Sequence, residues 1–303
     1  MHPSVNTPIQ NKTLPYLALL AGMLSLSMSA IFVRWADAPG PITAFYRVVI
    51  SILLLLPVFI RRVDRKSLTK KLLLFPLLGG IFTALDFAFW NTSIAYTTAG
   101  NATLLGNTAP LWVALGAWLI FHEKLSKGFW IGLFLALSGA ALIIGADFLT
   151  SLHLGIGDVL AIIAGVFYGG YYLITQNGRK HFNPLPYVWL VSVSAALGLV
   201  LVNLGLGHSF TGYSKETWLA FLGAGIVSQT IGYLSVSYAM GHLPAAIVAP
   251  TMIGQPIFTT IIAIPLLGEI PTPIQLLGGG IALAGIFLVN RAYQKGKSAD
   301  TPT

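Results

Sequence analysis

The strongest constraint in this sequence is a series of apolar stretches, each about 20 residues long. A helix of that length crosses the roughly 30 Å hydrocarbon core of a bilayer. Because lipid offers no hydrogen-bond partners to the backbone, helices are almost the only form such stretches can take there. A β-barrel needs short segments in which apolar and polar residues alternate, and runs such as Ile50–Pro57 do not alternate. The sequence therefore predicts an all-α integral membrane protein.

Composition supports this prediction and excludes other classes of protein. Asp, Glu, Lys and Arg make up 9% of the 303 residues, whereas about 25% is usual for a soluble domain. The hydrophobic fraction of 55% excludes a disordered chain. The chain has no cysteine, so disulfides, zinc–thiolate sites and iron–sulfur clusters are excluded. The net charge is +8, but the basic residues are scattered between apolar stretches, which argues against a nucleic-acid partner.

The apolar stretches divide into ten predicted transmembrane helices, whose ends are placed to within about three residues. The spans are Leu14–Val33, Pro41–Ile60, Leu72–Tyr96, Asn101–Phe121, Gly128–Ala146, Ile156–Gln176, Leu185–Gly205, Glu216–Ala239, Pro244–Leu267 and Pro273–Asn290. The third and fourth spans nearly touch at Thr97–Gly100, so nine or eleven spans remain open alternatives.

The distribution of Lys and Arg predicts the orientation, because cytoplasmic loops are enriched in these residues. With the N-terminus in the cytoplasm, fourteen cations fall on the cytoplasmic side and only Arg34 and Lys215 on the other. The tails 1–13 and 292–303 are then both cytoplasmic, and the expected location is the inner (cytoplasmic) membrane. Leu14–Leu24, followed by small residues, could also be read as a cleavable signal peptide. Cleavage would remove the first span from the repeat described next.

The two halves of the chain resemble each other, which predicts two five-helix repeats at residues 14–146 and 156–291. An offset of 143 residues pairs Gly22 with Gly165 and Pro41 with Pro184, whereas an offset of 146 pairs the later residues. The later pairs are Pro110 and Pro256, Glu123 and Glu269, Gly132 and Gly278, and Gly139 and Gly285. Five is an odd number, so the second repeat is inverted relative to the first. Inverted repeats are frequent in secondary transporters, although channels can be built the same way.

Several motifs are similar to those of a known family. They are the run Tyr96-Thr97-Thr98-Ala99-Gly100-Asn101-Ala102, Pro110, His122-Glu123-Lys124-Leu125, Gly132 and Gly139, with Pro256, Gly268-Glu269, Gly278 and Gly285 in the second half. The segments Ala30–Arg34 and Phe45-Tyr46-Arg47 fit the same pattern. Over residues 14–291 the chain resembles the drug/metabolite transporter superfamily, specifically its EamA-type ten-helix members. The resemblance implies a central cavity between the repeats, no cofactor and no ATPase domain, and relatives that export amino acids and other small metabolites.

Two charged residues lie deep in predicted spans, Arg47 in the second and Asp86 in the third. A buried charge in a membrane is costly unless it faces protein or water and has a partner. Their depths differ by roughly 6 Å, which a long Arg side chain can bridge. One interpretation is a structural ion pair. The other is that Arg47 holds a substrate carboxylate while Asp86 binds a proton or a substrate amine.

Further polar and aromatic residues at similar depth complete the predicted substrate-binding set. Asn and Thr in membranes commonly bond neighbouring helices, so packing is the competing interpretation for each of them. Besides Arg47 and Asp86, the set contains Trp90, Asn91, Asn107, Tyr168, Tyr172, Gln229 and Gln255.

Pro110 and Pro256 occupy equivalent positions inside the fourth and ninth spans. Proline has no amide hydrogen, so each leaves the carbonyl four residues earlier without its helical partner. Both are predicted as hinges, with a static kink as the alternative. His122-Glu123-Lys124 has no second His or carboxylate at ligand spacing, so no metal site is predicted.

These features predict a secondary transporter, not an enzyme, that moves a small organic metabolite by alternating access. Resemblance favours export of an amino acid or a related compound. Proton or ion coupling and uniport both remain open, as do a monomer and a homodimer. The alternatives are a channel, a non-transporting membrane receptor and, less favoured, an intramembrane lipid-processing enzyme. Such an enzyme would need convergent acids, bases or histidines at one depth, and none of the six His lies in mid-span.

Overall fold

The computed structural model describes residues 13–62, 69–93, 96–97, 99–144, 155–268 and 270–299. Within these residues every regular element is a helix, in agreement with the predicted fold class. Thr98 and Glu269 of the motifs above, residues 1–12 and 300–303 of the two tails and the last residues of the first predicted repeat lie outside the described part.

The helices follow one another in the order α1 to α13, with two non-α segments inserted. Their bounds are α1 Thr13–Trp35, α2 Gly40–Arg62, α3 Lys70–Ser93, α4 Ala99–Gly106, α5 Ala109–Leu119, α6 Lys127–Ile144, α7 Ile156–Gly178, α8 Pro184–Gly205, α9 Lys215–Gly223, the π-helix Ala224–Gly232, α10 Tyr233–Met240, α11 Ala245–Thr251, the 3-10 turn Met252–Gly254, α12 Gln255–Leu267 and α13 Pro273–Ala299. Helices α9 and α10 continue one another through the π-helix, and α11 and α12 through the 3-10 turn.

Over the described residues, nine helical stretches are long and apolar enough to cross a membrane. They correspond to nine of the ten predicted spans. The remaining prediction, Asn101–Phe121, is divided into the short helices α4 and α5. Many large apolar side chains are exposed on the helices, among them Leu53 at 62% and Leu201 at 72%. Exposed apolar surface on this scale is expected of a protein whose outer face meets lipid.

Each proline predicted as a hinge stands at the start of a helix that follows an interruption. The fourth span breaks at Asn107 and Thr108, directly before α5 with Pro110 in its first turn. The ninth span tightens into the 3-10 turn directly before α12, which has Pro256 in its first turn. Pro57, in contrast, lies within the continuous helix α2. Proline alone therefore does not break a helix here.

Contacts divide the chain into two compact units. Unit A consists of the described residues within Met1–Ala84 and Ile174–Pro244, and unit B of those within Leu85–Leu173 and Ala245–Thr303. Each unit contains residues from both halves of the sequence.

In unit A, the stretch 215–240 packs on α1 and α2 through small residues. A methyl group added to Gly22 of α1 would lie 2.7 Å from a side-chain carbon of Val236. One added to Gly225 would lie 2.5 Å from the Ile50 side chain of α2. Without side chains at these two positions, the helices approach closely enough for polar groups to bond across the contact.

In unit B, α6 and α13 approach so closely that their backbones touch. A methyl group on Gly139 would lie 2.3 Å from the Ala282 nitrogen and 2.6 Å from the Gly278 carbonyl oxygen. One on Gly285 would lie 2.3 Å from the Ala136 nitrogen and 2.7 Å from the Gly132 oxygen. The contacts are reciprocal, since Gly132 of α6 faces Gly285 of α13 and Gly139 faces Gly278. Any side chain at these positions would force the two backbones apart.

We therefore expect Gly139→Ala to destabilise the protein by about 1–3 kcal/mol, the usual cost of overpacking. The measurement is the thermal unfolding midpoint of the detergent-purified protein. Gly280→Ala in α13 is the matched control, because nothing lies within 4 Å of the methyl group it adds. Equal midpoints for the two variants would contradict the close backbone contact.

Candidate functional site

In unit A, Arg47 of α2 lies at the centre of a buried polar cluster and is only 7% exposed. Its Nε donates to the Gln229 Oε1 at 3.0 Å, and its Nη1 donates to the Ser29 Oγ at 3.0 Å. The guanidinium carbon also lies 5.8 Å from the centre of the Tyr233 ring, within range of a cation–π contact. Three elements thus hold one cation, and the three partners named here are neutral.

Gln229 reaches Arg47 from the π-helix Ala224–Gly232. The hydroxyl of the next residue, Thr230, donates to the carbonyl of Gly225 five residues earlier, at 2.8 Å. The preceding residue, Ser228, donates to the Ser25 carbonyl of α1 at 3.0 Å. Gln229 is 1% exposed. π-helical turns are rare and occur often at functional sites.

The residue before Arg47 fixes this part of α2 within unit A. Tyr46 stacks on Phe221, with ring centres 4.9 Å apart, and meets Trp218 edge-on at 4.7 Å. The Tyr46 hydroxyl also donates to the Phe210 carbonyl. These contacts limit the movement of the backbone that carries Arg47.

Unit B contains the predicted site residues of α3. Asp86 and Trp90 are half-buried, and the Trp90 indole lies against Gly106, where a methyl group would be 2.9 Å from its Cδ1. Asn91 donates to the Phe87 carbonyl of its own helix at 2.6 Å. Trp90 therefore faces the interruption of the fourth span, while one donor of Asn91 is used within α3.

The interruption in the fourth span is held by specific bonds. Thr108 donates its hydroxyl to the Leu105 carbonyl at 2.6 Å and accepts a bond from the Trp112 indole at 3.2 Å. Gly165 of α7 lies against the same turn, since a methyl group there would be 2.7 Å from the Thr108 Oγ1. The half-buried Asn107 belongs to this turn. The break is thus a packed feature of unit B.

The two predicted tyrosines lie one turn apart on α7. The hydroxyls of Tyr168 and Tyr172 are hydrogen-bonded at 2.9 Å, and Tyr172 is 1% exposed. Near the second interruption, Asn290 of α13 donates to the Thr251 hydroxyl at 3.2 Å. Gln255 is the half-buried first residue of α12, directly after the 3-10 turn.

The structure therefore brings the predicted residues together in separate groups. Arg47 and Gln229 meet in unit A, Trp90 lies at the interruption that contains Asn107, and Tyr168 bonds Tyr172 in unit B. Asp86 belongs to unit B and Arg47 to unit A, so their pairing stays a prediction.

Ser29 and Tyr233 are partners of Arg47 that were not in the predicted site. A signal for Tyr233 is present in the sequence, because the 143-residue offset pairs Asp86 with Gln229 and Trp90 with Tyr233. The four-residue spacing is the same in both halves. The sequence gives no comparable sign that Ser29 contacts Arg47, because Ser29 is only one of several small residues in its stretch.

Arg179 is a second buried cation of unit A that sequence reasoning treated only as a cytoplasmic charge. It is 5% exposed, and its Nε donates to the Ser237 carbonyl at 2.7 Å. Its Nη1 donates to the Phe182 carbonyl. Burial lowers the pKa of Arg179 to about 10, so the guanidinium remains charged at neutral pH. A cation bonded to a carbonyl in the last turn of α10 interacts favourably with the helix dipole.

The sequence predicts no metal site, and the structure bears on this only through the side chains that it describes. Among them, no three His, Cys, Asp or Glu residues are grouped closely enough to hold a metal ion. Glu123 accepts a bond from the Tyr293 hydroxyl at 3.0 Å, which ties the end of the fourth span to α13.

The nine long apolar helical stretches of the described residues define a multi-pass membrane protein. The model of the EamA-like transporter family matches residues 13–145 and again residues 155–291. The chain belongs to this family, whose members are transporters and not enzymes.

The chain is also similar in sequence to curated relatives and in fold to a solved structure. An uncharacterized transporter of Archaeoglobus fulgidus is 31% identical over 253 residues, covering 81% of this chain and 86% of the relative. A protein of Streptantibioticus cattleyicolor described as a probable terminal-alkyne amino-acid exporter is 27% identical, over 70% of this chain and 71% of its own length. A crystal structure superposes with a TM-score of 0.78 at 15% identity, covering 93% of this chain and 98% of the other, and shows the fold alone.

We expect Gln229→Leu to lower the thermal unfolding midpoint, because it removes an acceptor from a buried guanidinium. Hydrogen bonds to charged groups contribute about 1.5–3 kcal/mol. Gln229→Glu, which keeps an acceptor oxygen at the same length, should be closer to the wild type. A midpoint for Gln229→Leu equal to that of the wild type would show that the bond contributes nothing.

Proposed function

We propose that this transporter exports an amino acid or a closely related compound across the inner membrane, and that Arg47 binds the solute carboxylate. The observation that carries the proposal is the buried Arg47 cluster, in which the neutral oxygens of Gln229 and Ser29 hold two guanidinium nitrogens at 3.0 Å. Held this way, the planar guanidinium is oriented before a solute arrives. A guanidinium matches the geometry of a carboxylate and can bond both of its oxygens.

The other residues predicted to bind solute belong to unit B and remain a separate proposal. Trp90, Tyr168 and Tyr172 offer ring faces together with polar tips, which suit a solute with an apolar part. Asp86, Asn91, Asn107 and Gln255 are the polar residues proposed to bind solute within unit B. The likeness to a probable amino-acid exporter supports this solute class at 27% identity.

We further propose ten transmembrane spans in two inverted five-helix repeats, residues 14–146 and 156–291, with both termini cytoplasmic. Support comes from the family model, which matches the chain twice, and from the excess of Lys and Arg on one set of loops. The reciprocal contact of Gly132 and Gly139 with Gly285 and Gly278 also suits a local two-fold relation between the repeats. Inverted repeats allow alternating access by exchange of the conformations of the two halves.

The interruptions at Asn107–Thr108 and Met252–Gly254 are proposed as the bending points of alternating access. A helix bends most easily where its hydrogen-bond ladder is already incomplete. In this proposal Pro110 and Pro256 keep the ladders incomplete by lacking the donor that would close them.

A thermal-shift screen of purified protein against amino acids, nucleosides and sugars tests the solute class. We expect the largest stabilisation from an amino acid, because a ligand bound only to the folded state raises the unfolding temperature. Arg47→Ala should abolish that shift, and Arg34→Ala, at the exposed end of α1, should retain it. An unchanged shift in a folded Arg47→Ala variant would contradict the carboxylate assignment.

Pro110→Ala tests the bending point. The variant restores a backbone donor at residue 110, and the added hydrogen bond stabilises the unbent helix by about 1 kcal/mol. We therefore expect counterflow of labelled amino acid in reconstituted vesicles to fall by about fivefold, with the binding constant unchanged.

Pro57→Ala, within the uninterrupted helix α2, is the control and should leave counterflow at the wild-type rate. Equal losses of binding and counterflow in Pro110→Ala would mean that Pro110 shapes the site instead of bending the helix.

A further inference from the structure

The stretch that carries Gln229 has an unusual pattern of burial. Between Ala220 and Ser237, every buried residue belongs to one of two columns with a strict four-residue period. The columns are Ala220, Ala224, Ser228, Gly232 and Val236, and Phe221, Gly225, Gln229, Tyr233 and Ser237. Members of the first column contact α1, members of the second contact α2, and the Ser237 carbonyl accepts a hydrogen bond from Arg179.

An uninterrupted α-helix could not present this pattern to one side. Val236 lies sixteen positions after Ala220. At 3.6 residues per turn these make about 4.4 turns of α-helix, so the Val236 side chain would point nearly opposite to that of Ala220. The π-helix corrects this because its i→i+5 bonds give about 4.4 residues per turn. Nine residues then make about two turns where an α-helix makes two and a half. The π-helix Ala224–Gly232 is therefore what keeps Gln229 and Tyr233 on the Arg47 side.

The hydroxyl bonds of this chain mark the same change of geometry. Ser27, Thr83 and Thr251 each donate to the carbonyl four residues earlier, as α-helical Ser and Thr commonly do. Thr230 donates instead to the carbonyl five residues earlier, at Gly225. The Thr230 hydroxyl thus supplies a further hydrogen-bond donor to the backbone of the π-helix.

We propose that residues 224–232 convert between π-helix and α-helix during transport and thereby move Gln229 on and off Arg47. This inference rests on the proposed solute site, because it concerns when Arg47 can take a carboxylate. Over the four residues from Gly225 to Gln229, tightening to an α-helix adds about a fifth of a turn. That rotation carries the Gln229 amide away from the Arg47 Nε, so that Nε can donate to a solute carboxylate in place of Gln229.

The surroundings of the segment allow such a rotation. The atoms nearest to Gly225 and Gly232 belong to the side chains of Ile50 and Leu26, which can move as the turn rotates. The backbone keeps its hydrogen bonds inside the segment in either form, as a lipid environment requires. By contrast, α6 and α13 touch backbone to backbone through four glycines, and that contact is not expected to change.

A disulfide between α1 and the end of the π-helix tests the proposal, and the natural chain contains no cysteine to interfere. A Cβ built on Gly232 would lie 3.5 Å from the Cβ of Ser25, within the range of disulfides. The test variant is therefore S25C/G232C. Its control is G128C/A292C, where the corresponding distance between α6 and α13 is 3.4 Å.

Both variants are reconstituted in vesicles, and counterflow of a ¹⁴C-labelled mixture of the common L-amino acids is measured after oxidation and after reduction. We expect oxidised S25C/G232C to fall to the rate of protein-free vesicles and to recover on reduction. Oxidised G128C/A292C should transport at the rate of its reduced form. Full transport by oxidised S25C/G232C, with the disulfide confirmed by mass spectrometry, would overturn the proposal.

Hydrogen exchange provides a readout that does not depend on the solute. In nanodiscs, amides of residues 224–232 should exchange faster than those of α6, and oxidation of S25C/G232C should slow them. Exchange as slow as in α6 would overturn the proposal. If the wild type carries none of the labelled amino acids, the proposed solute class fails, and the exchange comparison still decides whether the π-helix converts.

Discussion

The structure depends first on the need of every backbone group in lipid to find a partner within the protein. Uninterrupted α-helices meet that need in most of the described chain. The exceptions are the break at Asn107–Thr108, the π-helix Ala224–Gly232 and the 3-10 turn Met252–Gly254. Each packs on at least one side against other protein groups, such as Gly165 of α7 at the first, Ser25 of α1 at the second and Asn290 of α13 near the third. Irregular backbone occurs here where neighbouring helices lie against it.

Close approach and polarity support one another in unit A. Glycines at positions 22, 225 and 232 bring the stretch 215–240 against α1 and α2. The short distance then allows Ser228 to reach the Ser25 carbonyl and Gln229 to reach Arg47. Larger side chains at these glycine positions would separate the helices. The Arg47 guanidinium would then lose the Gln229 acceptor in an apolar interior, at a cost of several kcal/mol. The packing of small residues is therefore a condition for keeping a charge at this depth.

Much of the fold could be predicted from the sequence, because span length and apolar composition are imposed by the thickness of the bilayer. Over the described residues, nine predicted spans correspond to helical stretches long and apolar enough to cross a membrane, and the fourth is divided into two short helices. Proline did not suffice to predict the interruption, since Pro57 lies in a continuous helix and Pro110 follows a break. A glycine four residues before Pro110, closely packed against Trp90, distinguishes the broken span. That packing depends on tertiary structure.

The candidate site was less predictable than the helices. Arg47 and Gln229 could be chosen because charge and amide groups are conspicuous among apolar residues. Ser29 could not, because one hydroxyl in a helix gives no sign of its partner. The burial of Arg179 was also missed, since a cation near a helix end is normally solvated, and only the structure brings carbonyls onto it.

The π-helix also has a consequence for how this chain should be compared with its relatives. Two turns of an α-helix use about seven residues, whereas the π-helix Ala224–Gly232 uses nine residues for about two turns. A relative that keeps an ordinary helix here needs roughly two residues fewer to present the same face. In this segment a short gap between aligned relatives would therefore record the gain or loss of the π-helix over evolution.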